Sequence, residues 1–210
     1  MRKIQLANGE NYHVYNRGVD KRRLFLEKKD LERFFQSMGE FNSTEPIGSI
    51  YENTFAEKKL RGTPLVNFIA YCVNPNHFHF ILRQIADRGI EKFMHRLGTG
   101  YTMYFNNKNK RSGSLFQGKF KAVHVDSNEY LLHLTAYVNL NYKVHQLGGS
   151  ASKSSWNEYM SRKDSFCDKD IILNQFNDIS EYKVFAESSL NSILEGKQRS
   201  QEMEAMLLEK

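Results

Sequence analysis

The run Tyr71-Cys72-Val73-Asn74-Pro75-Asn76-His77-Phe78-His79-Phe80-Ile81-Leu82 constrains the fold more than any other stretch of the chain. Apolar and polar residues alternate around an Asn-Pro-Asn turn. That pattern predicts a β-hairpin, with strands over 65–73 and 77–83. In a strand, residues i and i+2 share a face. His77 and His79 therefore project together, while Phe78 and Phe80 turn the other way, toward a core. Two imidazoles held side by side form half of a divalent-metal site. On spacing alone, a His-x-His pair is more often structural than metal-binding, so the pair needs support from elsewhere in the chain.

Around the hairpin the elements read in the order strand, helix, two strands, helix, strand, helix. Residues 11–18 predict a strand ending at Gly18. Residues 29–42 carry Leu31, Phe34, Phe35 and Met38 at helical spacing. Residues 43–63 read as a loop or ragged helix, 88–107 as a helix and 119–125 as a fourth strand. Asp126, with Glu129 three residues on, has the pattern of a capping box for a helix running to about 145. This order predicts an α+β fold, a ferredoxin-like antiparallel sheet with helices packed on one side. Gly148-Gly149-Ser150 suggests a boundary, giving one domain over 1–149 and a C-terminal helical extension over 150–210, with Trp156 as its packing anchor.

The 210 residues carry a formal net charge of +6, which favours an anionic partner, most often nucleic acid. The positive charge is concentrated. Residues 92–125 hold Lys92, Arg96, Lys108, Lys110, Arg111, Lys119 and Lys121 and no acidic residue, with Tyr101, Tyr104, Phe105 and Phe116 interleaved. Basic groups track phosphates and aromatic rings stack on bases. Arg17, Arg22 and Arg23 add a second basic patch. Two cysteines are too few for a disulfide framework, no apolar run reaches the length of a membrane helix, and residues 1–5 lack a signal-peptide core. A cytoplasmic, nucleoid-associated protein with no membrane partner is the expectation.

The helix after Asp126 carries two stripes. Leu131, Leu134 and Val138 form a buried face, and His133, Tyr137 and Asn141 form a polar line. Tyr137 could act as a nucleophile, and Asn141, one turn on, could offer its carbonyl oxygen to a metal. Each also has a plain structural reading. His13 could simply pack in its strand, and His124 and His133 could be surface residues.

Five blocks, in order, carry a family resemblance. They are Tyr12-His13-Val14-Tyr15-Asn16-Arg17-Gly18, then Asn74-Pro75-Asn76-His77-Phe78-His79, then Ser112-Gly113-Ser114-Leu115-Phe116-Gln117-Gly118-Lys119-Phe120-Lys121. Glu129-Tyr130-Leu131-Leu132 leading to Tyr137-Val138-Asn139-Leu140-Asn141 follows, and Ser154-Ser155-Trp156-Asn157-Glu158-Tyr159 is the weakest. With these blocks the chain resembles the HUH-class tyrosine transposases, above all the branch associated with repetitive extragenic palindromes. The resemblance implies a metal, Mg²⁺ or Mn²⁺, on His77, His79 and Asn141, with Tyr137 as nucleophile. It implies endonuclease and strand-transfer activity on single-stranded DNA beside a hairpin, through a 5′-phosphotyrosine, as in DNA transposition and recombination. Arg17, Arg22, Arg23, Lys108, Lys110, Arg111, Lys119 and Lys121 are the expected DNA contacts. Two positions depart from the family pattern: Asn139 stands where a histidine is usual and Tyr142 where a proline is usual. The C-terminal extension favours a monomer over a homodimer. Two other functions compete, a hairpin-binding protein without cleavage and a metal hydrolase that uses an activated water.

Overall fold

A computed structural model describes residues 5–46, 48, 50, 62–144, 152–161 and 165–208, with the side chains of 197–208 not included. The predicted boundary at 148–150 and most of the loop over 43–63 lie outside the described residues. The chain forms β1 (Asn11–Arg17), a 3-10 turn (Val19–Lys21), α1 (Lys28–Glu40), β2 (Val66–Asn74), β3 (His77–Gln84), α2 (Gly89–Lys108), β4 (Lys121–His124) and α3 (Asn128–Val144). β5 (Lys153–Ser154), α4 (Trp156–Tyr159), α5 (Asp170–Leu173) and α6 (Ile179–Leu208) follow. The strands make one antiparallel sheet in the order β4-β1-β3-β2-β5. The α+β class and the antiparallel sheet are as the sequence predicts.

Alternation along β3 divides the interior into two cores. Phe78, Phe80 and Leu82 join Tyr12 and Val14 of β1 beneath α1 and α2, with Phe34, Phe93, Leu97 and Tyr101 filling the space between. Ile81 faces the other way, into a second core with Leu131, Leu134 and Val138 of α3 and Tyr159, Ile172 and Tyr182 of the C-terminal segment. Burying a phenylalanine such as Phe80 contributes roughly 1.5–3 kcal/mol, so each layer is strongly held. The expectation of helices on one side therefore holds for α1 and α2 alone. α3 and the C-terminal segment cover the opposite face, where Ile69, Ala70 and Cys72 of β2 and Ile81 of β3 are apolar.

β2 carries a bulge between Phe68 and Ala70. Phe68 and Tyr71 lie in the first core, while Ile69 and Ala70, consecutive in sequence, both lie in the second. The β2–β3 hairpin closes through a two-residue turn, Pro75-Asn76, with Asn74 paired to His77. Neighbouring chain is stitched to this turn: Gly18 N–H donates to the Asn76 carbonyl at 2.8 Å and Leu24 N–H to that of Pro75 at 2.7 Å. α2 enters through Gly89, where an added Cβ would lie 2.1 Å from the Leu65 carbonyl oxygen.

The start of α3 differs from expectation. The cap is Ser127 and not Asp126: Ser127 Oγ accepts from Tyr130 N–H at 3.2 Å. Val125 N–H is held to the Asn11 carbonyl at 2.9 Å, which keeps the chain on the sheet one residue longer and moves the helix start on. The C-terminal segment is tied to α3 and the sheet by buried polar groups. Asn139 Nδ2 donates to Tyr182 Oη at 2.9 Å, and its Oδ1 accepts from Ser155 Oγ. Ser155 Oγ in turn accepts from Tyr71 N–H at 2.9 Å. Among the described residues no helix is long and apolar enough to cross a membrane.

Candidate active site

Strand register sets which side chains meet. Tyr15 and Cys72 stand opposite His79 on the two neighbouring strands, and Arg17 and Asn74 stand opposite His77. The His77 and His79 rings lie edge to face with centroids 5.3 Å apart. α3 crosses this face of the sheet. The Tyr137 ring meets that of His79 edge-on, at 5.7 Å and 79°. One turn later Asn141 is fully buried. The structure thus brings together His77, His79, Tyr137 and Asn141, the four residues singled out from sequence.

A chain of amides orients them. Asn76 Nδ2 donates to the Lys21 carbonyl at 3.3 Å, so its Oδ1 faces His77 Nδ1, 2.6 Å away. His77 then carries its proton on Nδ1 and its lone pair on Nε2. Asn74 Nδ2 lies 2.9 Å from that Nε2 and donates to Asn141 Oδ1 at 2.7 Å. Two lone pairs, one imidazole and one amide, therefore converge on a single positively polarised nitrogen. A cation in the same place would meet the same two donors. Asn141 is buried, with its Oδ1 accepting from Asn74 and its amide beside the Tyr137 phenol, whose pKa it lowers. The residues fit a divalent ion held by His77, His79 and Asn141. Among the described residues no three His, Cys, Asp or Glu side chains converge on a metal position.

Electrostatics follow from burial. Burial raises the Tyr137 phenol above its usual pKa, the nearby Asn141 amide pulls it back, and Cys72 and Tyr15 push it up again. The phenol is neutral near pH 7 and must lose its proton as it reacts. Burial also pushes the Cys72 thiol up to about 12, leaving it a neutral wall. His13, expected to pack in its strand, joins the site. Its Nε2 lies 2.9 Å from His79 Nδ1, and burial lowers its pKa to about 4, so it stays neutral. Asn74 and Asn76, expected at the hairpin turn, join the site as well. Strand parity places His13 with Tyr15, but the partner strand that brings it to His79 is not visible in a sequence. His133 faces away, bonded to Ser189 Oγ at 3.0 Å.

The predicted basic residues separate into groups. Arg17 is exposed beside His77 and hydrogen-bonds Gln117. Lys121 is exposed opposite Tyr15, with its Nζ 5.9 Å from that ring centroid. Both border the histidine face. Lys119 lines a cavity of about 440 Å³ at the same end of the sheet on the other face, with Asn16, Phe116 and Phe120 among its walls. Arg23 and Lys110 are exposed, and Arg22 Nε turns back to the Val19 carbonyl at 3.4 Å. Lys108 and Arg111 do structural work. Lys108 pairs with Glu27 and the buried Asp30, and Arg111 binds Asn106 and the Ser114 carbonyl. Of the interleaved aromatics, Tyr101, Phe105 and Phe116 are buried in the first core and cannot stack on bases.

The chain belongs to the IS200-like transposase family, whose model matches residues 11–141, from the start of β1 to Asn141. Among solved structures it is similar to a REP-associated tyrosine transposase bound to a REP hairpin. The two are 12% identical with a TM-score of 0.58, covering 77% of this chain and 86% of that one. At that identity the similarity concerns the fold. No curated protein matches the chain.

Proposed function

We propose that the protein is a metal-dependent single-strand DNA endonuclease and strand transferase that cuts beside DNA hairpins, with Tyr137 as nucleophile. The observation that carries this reading is the placement of Tyr137 against His79 with Asn141 one turn beyond it. Family membership and the hairpin bound by the structural neighbour support a transposase-like partner of this kind.

Tyr137 Oη would attack the scissile phosphorus. The P–O3′ bond breaks, leaving a 5′-phosphotyrosine, and the proton lost from the phenol is balanced by the one the departing O3′ takes up as it becomes a hydroxyl. A Mg²⁺ or Mn²⁺ ion on His77, His79 and Asn141, when bound, polarises the phosphate. Asn141 Nδ2, beside the Tyr137 phenol, can donate to an oxygen that gains charge. Arg17 and Lys121 flank the histidines and would hold neighbouring phosphates. Because the phosphotyrosine conserves the phosphodiester, a second 3′-hydroxyl can reverse the step and join strands. In this reading the chain acts as a monomer, as its C-terminal extension suggests, with a homodimer as the alternative.

The test is a labelled single-stranded hairpin oligonucleotide incubated with protein and Mg²⁺ or Mn²⁺, then resolved on a denaturing gel. A covalent protein–DNA adduct is expected. Binding without cleavage would instead identify a hairpin-binding protein, and cleavage without an adduct would point to an activated water.

A further inference from the structure

We propose that His13 is a positioning residue that fixes the tautomer of His79, holding the proton on His79 Nδ1 so that Nε2 presents its lone pair to a divalent cation. The inference rests on the reading of His79 as a metal ligand. Its geometric basis is independent of that reading. His13 Nε2 and His79 Nδ1 are 2.9 Å apart, and at that distance a single proton lies between the two nitrogens, one donating and the other accepting. If His13 donates, His79 carries its proton on Nε2 and cannot bind a metal there. If His13 accepts, the two rings lock into the ligating arrangement.

Packing keeps the rings from turning out of this contact. His13 and His79 stack at 5.2 Å and 21°, and Tyr15 covers both, at 4.9 Å from His13 and 5.8 Å from His79. His77 reaches the same end by a different acceptor, Asn76 Oδ1. Both histidines of the pair are thus gripped at Nδ1 by a side chain outside the donor set. A ligand imidazole held through its other nitrogen is a general device for setting tautomer and basicity, and loss of such a partner typically costs about 10–100-fold in metal affinity.

The test begins with metal-free wild-type protein labelled with ¹⁵N-histidine. Long-range ¹H–¹⁵N spectra should show His79 protonated on Nδ1 and His13 with an unprotonated Nε2. His79 protonated on Nε2 would overturn the inference, whether or not the protein binds metal. The second arm measures Mn²⁺ binding by electron paramagnetic resonance. His13→Phe, which keeps the ring and removes the acceptor, should lose about 10–100-fold in affinity and show His79 in mixed tautomers. His13→Gln, which restores an acceptor near the Nε2 position, should recover most of the affinity. Equal affinity in wild type and a folded His13→Phe would also overturn it. If wild type binds no Mn²⁺ at all while the spectra show the expected tautomer, the metal reading fails and the hydrogen-bond assignment stands.

Discussion

Tyr137 lies edge-on to His79, their ring centroids 5.7 Å apart, although 58 positions separate them in the chain. The contact joins the helix that would carry a nucleophile to the strand that would carry its metal. Replacing Tyr137 by Phe keeps the ring and removes the phenolic oxygen. We expect the covalent adduct to disappear on a denaturing gel while hairpin binding, followed by fluorescence anisotropy, changes little. Cleavage that survives would remove Tyr137 from the chemistry.

His77→Ala should abolish cleavage and leave hairpin binding mostly intact, and chelation of divalent ions in wild type should give the same pattern. The imidazole is half-buried at the end of β3, and its loss leaves the Phe78–Phe80 core untouched. Equal loss of binding and cleavage would assign His77 a structural role.

Lys121 and Lys108 should separate by salt dependence. Lys121 faces solvent beside Tyr15, so Lys121→Ala should weaken hairpin binding and reduce the slope of log K against log salt by about 0.7–1. Lys108→Ala should leave the slope unchanged and lower the melting temperature, because it strips a partner from buried Asp30. The reverse pattern would restore Lys108 to the DNA surface.

Asp30 should give the fold an acid-sensitive contribution. Burial pushes its carboxyl up, but hydrogen bonds from Lys108, Leu26 N–H, Tyr104 and Glu27 N–H outweigh that and hold it below the usual carboxylate range. The unfolded chain therefore takes up the proton first as pH falls. The stabilisation is complete above the unfolded value near pH 4 and is lost as pH drops through the lower folded value. Urea midpoints should fall more steeply with acid in wild type than in Asp30→Asn, which starts less stable at pH 7. Parallel curves would show that Asp30 does not titrate between the two states.

Asn139→Ala should destabilise the protein by about 1–3 kcal/mol, because Tyr182 Oη loses its donor while Ser155 Oγ keeps only its bonds to the Tyr71 backbone. Urea unfolding measures this directly. A loss under about 0.5 kcal/mol would mean that the C-terminal segment is held by apolar contacts alone.

The sheet, the hairpin and the paired histidines were legible because alternation and a Pro-containing turn are local signals. The buried stripe of α3 was legible for the same reason. Its docking on the histidine face was not, because that choice depends on which side α1 and α2 have already covered. Lys108 and Arg111 read as a DNA surface because charge is visible in a sequence, whereas the acceptors that engage them, Asp30 and the Ser114 carbonyl, are brought near only by folding. Asn139 bonds Ser155 and Tyr182 of the C-terminal segment, partners that its place in the sequence does not announce. The amides Asn74 and Asn76 were hidden by their turn, where asparagine already has a reason to be.

The bulge at Phe68–Ala70 has a consequence for chemistry as well as for packing. Strict alternation from Phe68 would have sent residues 70, 72 and 74 to the phenylalanine side. The extra residue advances the count by one, and Cys72 and Asn74 arrive among the histidines. Asn74 is the group that links His77 to Asn141, so a defect in a strand six residues away decides whether the two can be joined. Taking Ile69 into regular alternation, with no bulge, would act on this protein as a frameshift acts on a message: every amino acid downstream in the strand would remain, and each would be delivered to the wrong side.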